Sequence, residues 1–351
     1  MRMHKIAAIP GDGIGPEVIS AGLEVLEACA ARDGGFALEV AHFDWGSDYY
    51  KEHGVMMPPG GHEQLRQFDA IYFGAVGAPD VPDHVTLWGL RLAICQPLDQ
   101  YANVRPTRIL PGITSPLRRV AAKELDWVIV RENSEGEYAG QGGRSHRGLP
   151  HEVATEVTIF TRAGVTRIMR FAFELARSRP RKLLTVVTKS NAQRYGMVMW
   201  DEIAAEVAKD FPDVTWDKML VDAMTMRMTL KPETLDTIVA TNLHADILSD
   251  LAGGLAGGLG TVPSYSVNRE LAVFEAIHGY APHLVGTPWG NPLTLLGSAI
   301  HMLRHIGEIG PANRIEAAVQ RVLIEGAHRT PDMGGKTTLA EFTQAIIQAF
   351  P

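Results

Sequence analysis

The run Lys5-Ile6-Ala7-Ala8-Ile9-Pro10-Gly11-Asp12-Gly13-Ile14-Gly15-Pro16-Glu17 joins an apolar stretch to a glycine-rich turn and then to a helix start. Lys5–Ile9 reads as a strand and Pro10–Gly15 as the turn; Pro16–Ala30 reads as a helix with Val18, Ala21, Leu23, Val25 and Leu26 on its apolar stripe. A strand delivered by a tight turn into a helix is the opening unit of an α/β layer architecture. The spacing is G-x-G-x-G rather than the G-x-G-x-x-G of a dinucleotide fingerprint, and no acidic residue clearly ends a second strand about 20 residues on. A structural turn and a phosphate cradle both remain open here.

The same alternation continues outward. Strands are expected at Phe36–Phe43, Ala70–Phe73, Trp127–Val130, Lys182–Val187, Met219–Val221 and Thr237–Ala240. Helices are expected at Arg162–Arg177, Ala192–Lys209, Ala245–Leu255, Leu293–Ile306, Ala312–Glu325 and Leu339–Ala349, the last opened by a capping box of Thr338 and Glu341. Ala139–Glu156 is rich in Gly, Ser and His with no clear period, so it reads either as a surface loop or as an arm reaching a partner chain.

The 351 residues suit two domains at roughly 150 residues each. The 33 Lys+Arg against 40 Asp+Glu give −7, which argues against a nucleic-acid surface. Cys29 and Cys95, the only two cysteines, cannot make a disulfide framework or a cysteine zinc site, and they fit a reducing cytoplasm. No signal peptide and no apolar run of about 18 residues is evident. A secreted mini-protein and a membrane protein are therefore excluded, and a cytoplasmic two-domain enzyme is expected. An acidic chain that holds an anionic substrate must concentrate its positive charge in one place.

The strongest chemical signal is Asp246-Ile247-Leu248-Ser249-Asp250. Carboxylates at i and i+4 share one helix face and repel unless a positive charge lies between them. A solvated helix face is one reading. The other is a ligand site, because the pair follows the Thr237–Asn242 run at a strand-to-helix junction, where α/β ligand sites gather. Hard carboxylate oxygens there suit Mg²⁺ or Mn²⁺ rather than zinc. Asp222 is read as ending one strand, in Val221-Asp222-Ala223-Met224, and Lys189 as ending another, while Arg105 and Arg131 follow apolar runs. Guanidinium forks bind carboxylates bidentately.

Taken in order, these blocks resemble the β-decarboxylating dehydrogenases of the isocitrate and isopropylmalate type over essentially the whole chain. They are Ile9–Glu17, Val130-Arg131-Glu132-Asn133-Ser134-Glu135-Gly136-Glu137-Tyr138, Thr188-Lys189-Ser190-Asn191, Val221-Asp222-Ala223-Met224, Asn242–Asp250 and Glu275-Ala276-Ile277-His278-Gly279. Phe68–Gly77 and Asp80–Gly89 lean toward the tartrate and D-malate branch, with isopropylmalate as the nearest rival substrate. A catalytically weak relative that only binds acids or nucleotide is the alternative of another class.

The resemblance implies a two-domain isopropylmalate dehydrogenase-like α/β fold that is not a Rossmann fold. Residues 1–103 with 256–351 would form the cofactor-side domain. Residues 104–255 would form the dimerisation and metal/substrate domain, with a clasp arm near 139–156. It further implies an obligate homodimer that builds each active site from two subunits, Lys189 and Asp222 being donated across. NAD and Mn²⁺ or Mg²⁺ are the implied cofactors, with K⁺ a further candidate. Asp222, Asp246 and Asp250 would hold the metal; Lys189 would take the hydroxyl proton and Tyr138 would protonate the enol carbon. Arg105 and Arg131 would clamp substrate carboxylates. Asn191, Glu275, His278, Gly279, His283, Leu284 and Asn291 would serve the cofactor.

The chain departs from the family in two places. Cys95 stands where relatives carry another substrate arginine, and Arg91 lies one α-helical turn earlier, about 5.4 Å away. Arg91 is expected to replace it in part, favouring a small or polar substituent; an Arg91 pointing to solvent is the alternative. His283 stands where NAD-using relatives have aspartate and NADP-using ones lysine, while Leu284 resembles the NAD type. Trp289 belongs either against the adenine or in a core or interface.

Overall fold

The structure is a computed structural model that describes residues 1–118, 125–268 and 270–351. In chain order it begins with β1 (Arg2–Gly11), α1 (Gly15–Asp33), β2 (Phe36–His42), α2 (Ser47–His53), α3 (Gly61–Leu65) and β3 (Ala70–Ala75). A short helix α4 (Asp83–Thr86) runs into a π-helical turn at Leu87–Leu92 and on into α5 (Ala93–Cys95). Next come β4 (Ala102–Arg108), β5 (Asp126–Glu132), β6 (Gly136–Ser145), β7 (Val153–Ile159), α6 (Arg162–Ser178), β8 (Leu183–Thr188), α7 (Gly196–Val207), β9 (Thr215–Leu220), α8 (Val221–Leu230), β10 (Thr237–Ala240) and α9 (Asn242–Leu255). The chain closes with β11 (Pro263–Val267), β12 (Ala272–Ala276), α10 (Leu293–His305), α11 (Ile309–Glu325) and α12 (Leu339–Gln348).

Described residues 1–100, 108–118 and 253–351 make one compact unit, and 101–107 with 125–252 make the other. In the first, strands run in the order β2-β1-β3-β12-β11, parallel except for the antiparallel pair β11/β12. The glycine-rich turn makes the first strand-to-helix joint. Gly13 sits at φ +58, and a Cβ there would lie 2.0 Å from the Tyr280 carbonyl oxygen. Asp12 ties the turn down by accepting from Ser47 N at 2.6 Å, Ser47 Oγ at 2.8 Å and Gly77 N at 2.8 Å. Its carboxylate is thus spent on protein donors, which accounts for the turn structurally.

α1 starts with Pro16 in its first turn and ends at Gly34, φ +70. Its apolar face meets α10, α11 and α12 in a core that includes Val18, Leu26, Leu295, Leu303, Ile315 and Phe342. The expected capping box at α12 forms. At the sheet margin, Glu308 is buried and accepts from Arg2 Nε (2.6 Å), Arg2 Nη2 (2.8 Å) and His4 Nε2 (2.8 Å). Chiefly the hydrogen bond from Arg2 pulls its carboxyl down from the ordinary 4.5 to about 2. A carboxylate with a depressed folded-state pKa stabilises the fold above the ordinary value and loses that contribution as pH falls toward the depressed one. Glu308→Gln should therefore cost about 1–2 kcal/mol at pH 7, discounted for the solvent around Arg2, and almost nothing near pH 2, read from urea midpoints at both pH values.

In the second unit the order is β4-β5-β10-β8-β9, with β5/β10, β10/β8 and β8/β9 parallel. Val128, Val130, Val186, Ile238 and Val239 are buried between helices, as continuous apolar runs in parallel strands require. The Ala139–Glu156 segment is not a loop: β6 and β7 pair antiparallel, Gly142 opposite Glu156. Both strands are exposed along most of their length; glycines interrupt β6, and the apolar residues Val153 and Val157 of β7 face solvent. Asp222 also differs from expectation. β9 stops at Leu220, and Asp222 lies in the first turn of α8, where a carboxylate is favoured by the helix dipole. No described helix is long and apolar enough to cross a membrane.

Candidate active site

The second unit sets the expected metal carboxylates on α9 and brings the expected acid-binding arginines, Arg105 of β4 and Arg131 of β5, against one of them. Asp246 and Asp250 lie one turn apart on one face, as their spacing requires. Arg131, at the end of β5, donates from Nη1 to Asp246 Oδ1 and from Nε to Asn242 Oδ1 at 2.9 Å. Arg105, in β4, donates from Nη1 to Asp246 Oδ1 at 3.4 Å and to Ser249 Oγ at 2.5 Å, and from Nε to Asn103 Oδ1 at 2.8 Å. Both guanidinium groups are almost wholly buried. Arg131 also lies over the Tyr138 ring, 5.3 Å from its centroid. Burial, and after it the charge of Asp246, pushes the Asp250 carboxyl up, while Arg105 and Arg131 pull the other way. A neighbouring divalent cation would relieve that repulsion, so the acid pair fits such a group.

Lys189 and Asp222 form a pair of their own, Nζ to Oδ1 at 2.5 Å, and this bond holds the Asp222 carboxyl below its ordinary value. Among the described residues no group of three metal-binding side chains forms, so Asp222 does not complete the Asp246–Asp250 pair. His244, at the start of α9, is buried, and burial together with the charge of Lys189 lowers its pKa. Asn191 is exposed just beyond Lys189.

The first unit holds a cleft of about 590 Å³ lined by Ile14, Val18, Leu259, Gly260, His278, Ala281, His283, Leu284, Trp289, Gly290, Asn291, Pro331 and Asp332. Its volume and mostly apolar wall suit an adenosine-sized ligand. His278, His283, Leu284 and Asn291 are thus brought together, whereas Glu275 and Gly279 stay off the wall. Burial lowers the His278 pKa, and its Nδ1 donates to Gly279 O at 2.9 Å. Ala281 sits at φ +42, a left-handed conformation that costs an alanine about 1–3 kcal/mol and is concentrated at ligand sites. Trp289 is half-buried and lines the cleft, so the core reading fails for it. Asp332 went unread in the sequence. Its Oδ2 accepts from Asn291 Nδ2 at 2.8 Å and its Oδ1 from Thr330 Oγ1 at 2.5 Å, and the acid after Pro331 in a turn was its only local sign.

Arg91, expected at the substrate, sits in the π-helical turn with its guanidinium on Glu275 in the same unit. Cys95 is buried.

Residues 5–349 match the family model described as isocitrate/isopropylmalate dehydrogenase. A probable tartrate dehydrogenase/decarboxylase of Agrobacterium vitis is 68% identical over 99% of this chain and 98% of its own. The decarboxylating D-malate dehydrogenase of Escherichia coli is 46% identical, covering 99% and 98%. A solved isocitrate dehydrogenase from Methylococcus capsulatus superposes with a TM-score of 0.89 at 35% identity, covering 99% of each chain. Sequence blocks, fold and near full-length relatives agree, and the chain belongs to the isocitrate/isopropylmalate dehydrogenase family.

Proposed function

We propose that this chain oxidises and decarboxylates a small 2-hydroxy dicarboxylic acid, tartrate or D-malate first, using NAD and Mn²⁺ or Mg²⁺. The observation that carries the reading is the convergence of Arg105 and Arg131 on Asp246, one helical turn from Asp250, with Tyr138 stacked under Arg131. The names of the relatives, tartrate and D-malate dehydrogenases, support the substrate class.

Asp246 and Asp250 would hold the cation with hard oxygens. The third carboxylate, Asp222, would come from a second copy of the chain in a homodimer, consistent with its separation from the other two here. The exposed hairpin of β6 and β7 suits an arm that clasps that copy. When bound, the cation supplies Lewis acidity toward the 2-hydroxyl and its carboxylate, and the nicotinamide supplies the hydride acceptor.

The chain's own groups do the rest. Arg105 and Arg131 would take the substrate carboxylates on buried guanidinium forks and fix the reacting pose. Lys189 would accept the hydroxyl proton as C2 gives up hydride. The 3-carboxylate then lies β to a ketone and leaves as CO₂. Tyr138 returns a proton to the carbon left behind. Among the described residues no lysine or arginine lines the cleft of the first unit, so a 2′-phosphate would meet no fixed cation from them, which supports NAD over NADP.

The test is reduction of NAD and NADP with Mn²⁺, with and without K⁺, across tartrate isomers, D-malate, isocitrate and 3-isopropylmalate, with CO₂ measured. We expect NAD reduction and stoichiometric CO₂ with D-malate or a tartrate. Turnover of 3-isopropylmalate alone would reassign the substrate. Binding of nucleotide and Mn²⁺ with no reduction of any acid would leave a binding protein.

A further inference from the structure

We propose that Arg91 is a positioning residue for the dinucleotide: it locks Glu275 and thereby the strand end that carries His278 into the cleft. The inference rests on the dehydrogenase reading above. Glu275 is only 2% exposed, at the end of β12. A carboxylate this deeply buried needs a charged partner with matched geometry. Arg91 supplies it as a bidentate fork, Nε to Oε2 at 2.9 Å and Nη2 to Oε1 at 2.7 Å. The pair is closed from both sides, with 12% and 3% side-chain exposure.

Glu275 is also the junction of three neighbours. Ser264 and Ser266 of β11 donate to Oε1 at 3.2 and 3.3 Å, and Ser298 of α10 donates to its backbone oxygen at 2.8 Å. Three residues further on, His278 forms part of the cleft wall, followed by Ala281, His283 and Leu284. The carboxylate therefore fixes where the chain leaves the sheet to build the cleft. Arg91 reaches it from the π-helical turn, a feature that often marks functional sites. For that guanidinium to swing to a substrate, it would have to give up both hydrogen bonds of its bidentate pair with the buried Glu275. Its spacing from Cys95 is no guide, because a π turn advances less per residue than the α-helix that the spacing assumes.

The experiment compares Arg91→Ala and Arg91→Lys with the unaltered dimeric enzyme. It measures the Kd of NADH by fluorescence titration, the Kd of Mn²⁺, the KM of D-malate and the melting temperature. Loss of a charge-assisted hydrogen bond is worth roughly 10–100-fold, so Arg91→Ala should weaken NADH by that factor while Mn²⁺ binding stays unchanged. Arg91→Lys keeps the charge without the planar fork and should recover part of the loss. Unchanged NADH affinity with a raised KM for D-malate would overturn the proposal and return Arg91 to the substrate. A melting temperature lowered equally in both variants, with NADH affinity intact in Arg91→Lys and no partial loss, would make the pair merely structural and also overturn it. Failure of the unaltered protein to bind NADH would instead refute the dehydrogenase reading itself.

Discussion

Lys189→Ala is expected to lower kcat for D-malate by about 10³-fold, within the range general acid–base groups contribute. The cause is chemical. On the proposed mechanism, loss of the amine would leave the 2-hydroxyl without a positioned acceptor for its proton, and hydride could not leave C2 without building charge on oxygen. The fold should tolerate the change well, because the partner carboxylate, Asp222, is open to solvent with 65% of its side chain exposed. Its carboxyl would rise back toward the ordinary range once the hydrogen bond from Lys189 is lost. It would still be ionised at neutral pH and available to a cation. The expected signature is thus a collapse of kcat with NADH and Mn²⁺ affinities close to normal, measured by stopped-flow reduction and by titration. Retention of more than a tenth of kcat would remove Lys189 from the proton transfer.

What could be read from the sequence followed how local each signal was. Lys5–Ile9, Thr237–Ala240 and the capping box of α12 announce themselves within a few residues, because burial and capping act at that range. The acid pair was legible for the same reason, since i and i+4 are neighbours on any α-helix. Asp222 was misplaced because β9 passes into α8 without glycine, proline or a loop: Leu220, still extended at ψ 141, is itself the helix cap. The strands of the β6–β7 arm were not evident because Gly140, Gly142 and Gly143 break the pattern of β6 and the short alternation of β7 is exposed rather than buried. Arg91 was placed by α-helical spacing, whereas the chain there takes a π turn and its guanidinium pairs with Glu275. The cleft draws its wall from residues near 14, 259, 278–291 and 332, so no window of sequence contains it, and only the resemblance pointed to its middle portion.

Asp246 and Asp250 look equivalent in sequence, yet their neutral variants are expected to separate two effects. Asp246 is the acceptor that Arg131 and Arg105 share, and both guanidinium groups are buried. Asp246→Asn removes the carboxylate they share. It should cost about 1–3 kcal/mol of stability, below the figure for a fully buried pair because 39% of the Asp246 side chain meets solvent. Asp250 is the opposite case. Burial and the charge of Asp246 raise its pKa, so its ionised form opposes folding. A raised carboxyl binds its proton more tightly folded than unfolded, so stability falls as pH rises from the ordinary carboxylate range through the raised value. Asp250→Asn removes that penalty. Its advantage over the unaltered chain should be absent in acid, grow across that window and be complete at neutral pH. Both variants should lose Mn²⁺ by at least the ~10–100-fold that a supporting partner is worth at metal sites. The decisive measurement is Mn²⁺ titration by electron paramagnetic resonance beside urea unfolding at pH 4 and pH 7.5. An Asp250→Asn chain that gains stability at pH 7.5 and loses Mn²⁺ shows that the fold tolerates carboxylate repulsion in order to hold a cation. One that binds Mn²⁺ normally would move the cation site off α9 altogether.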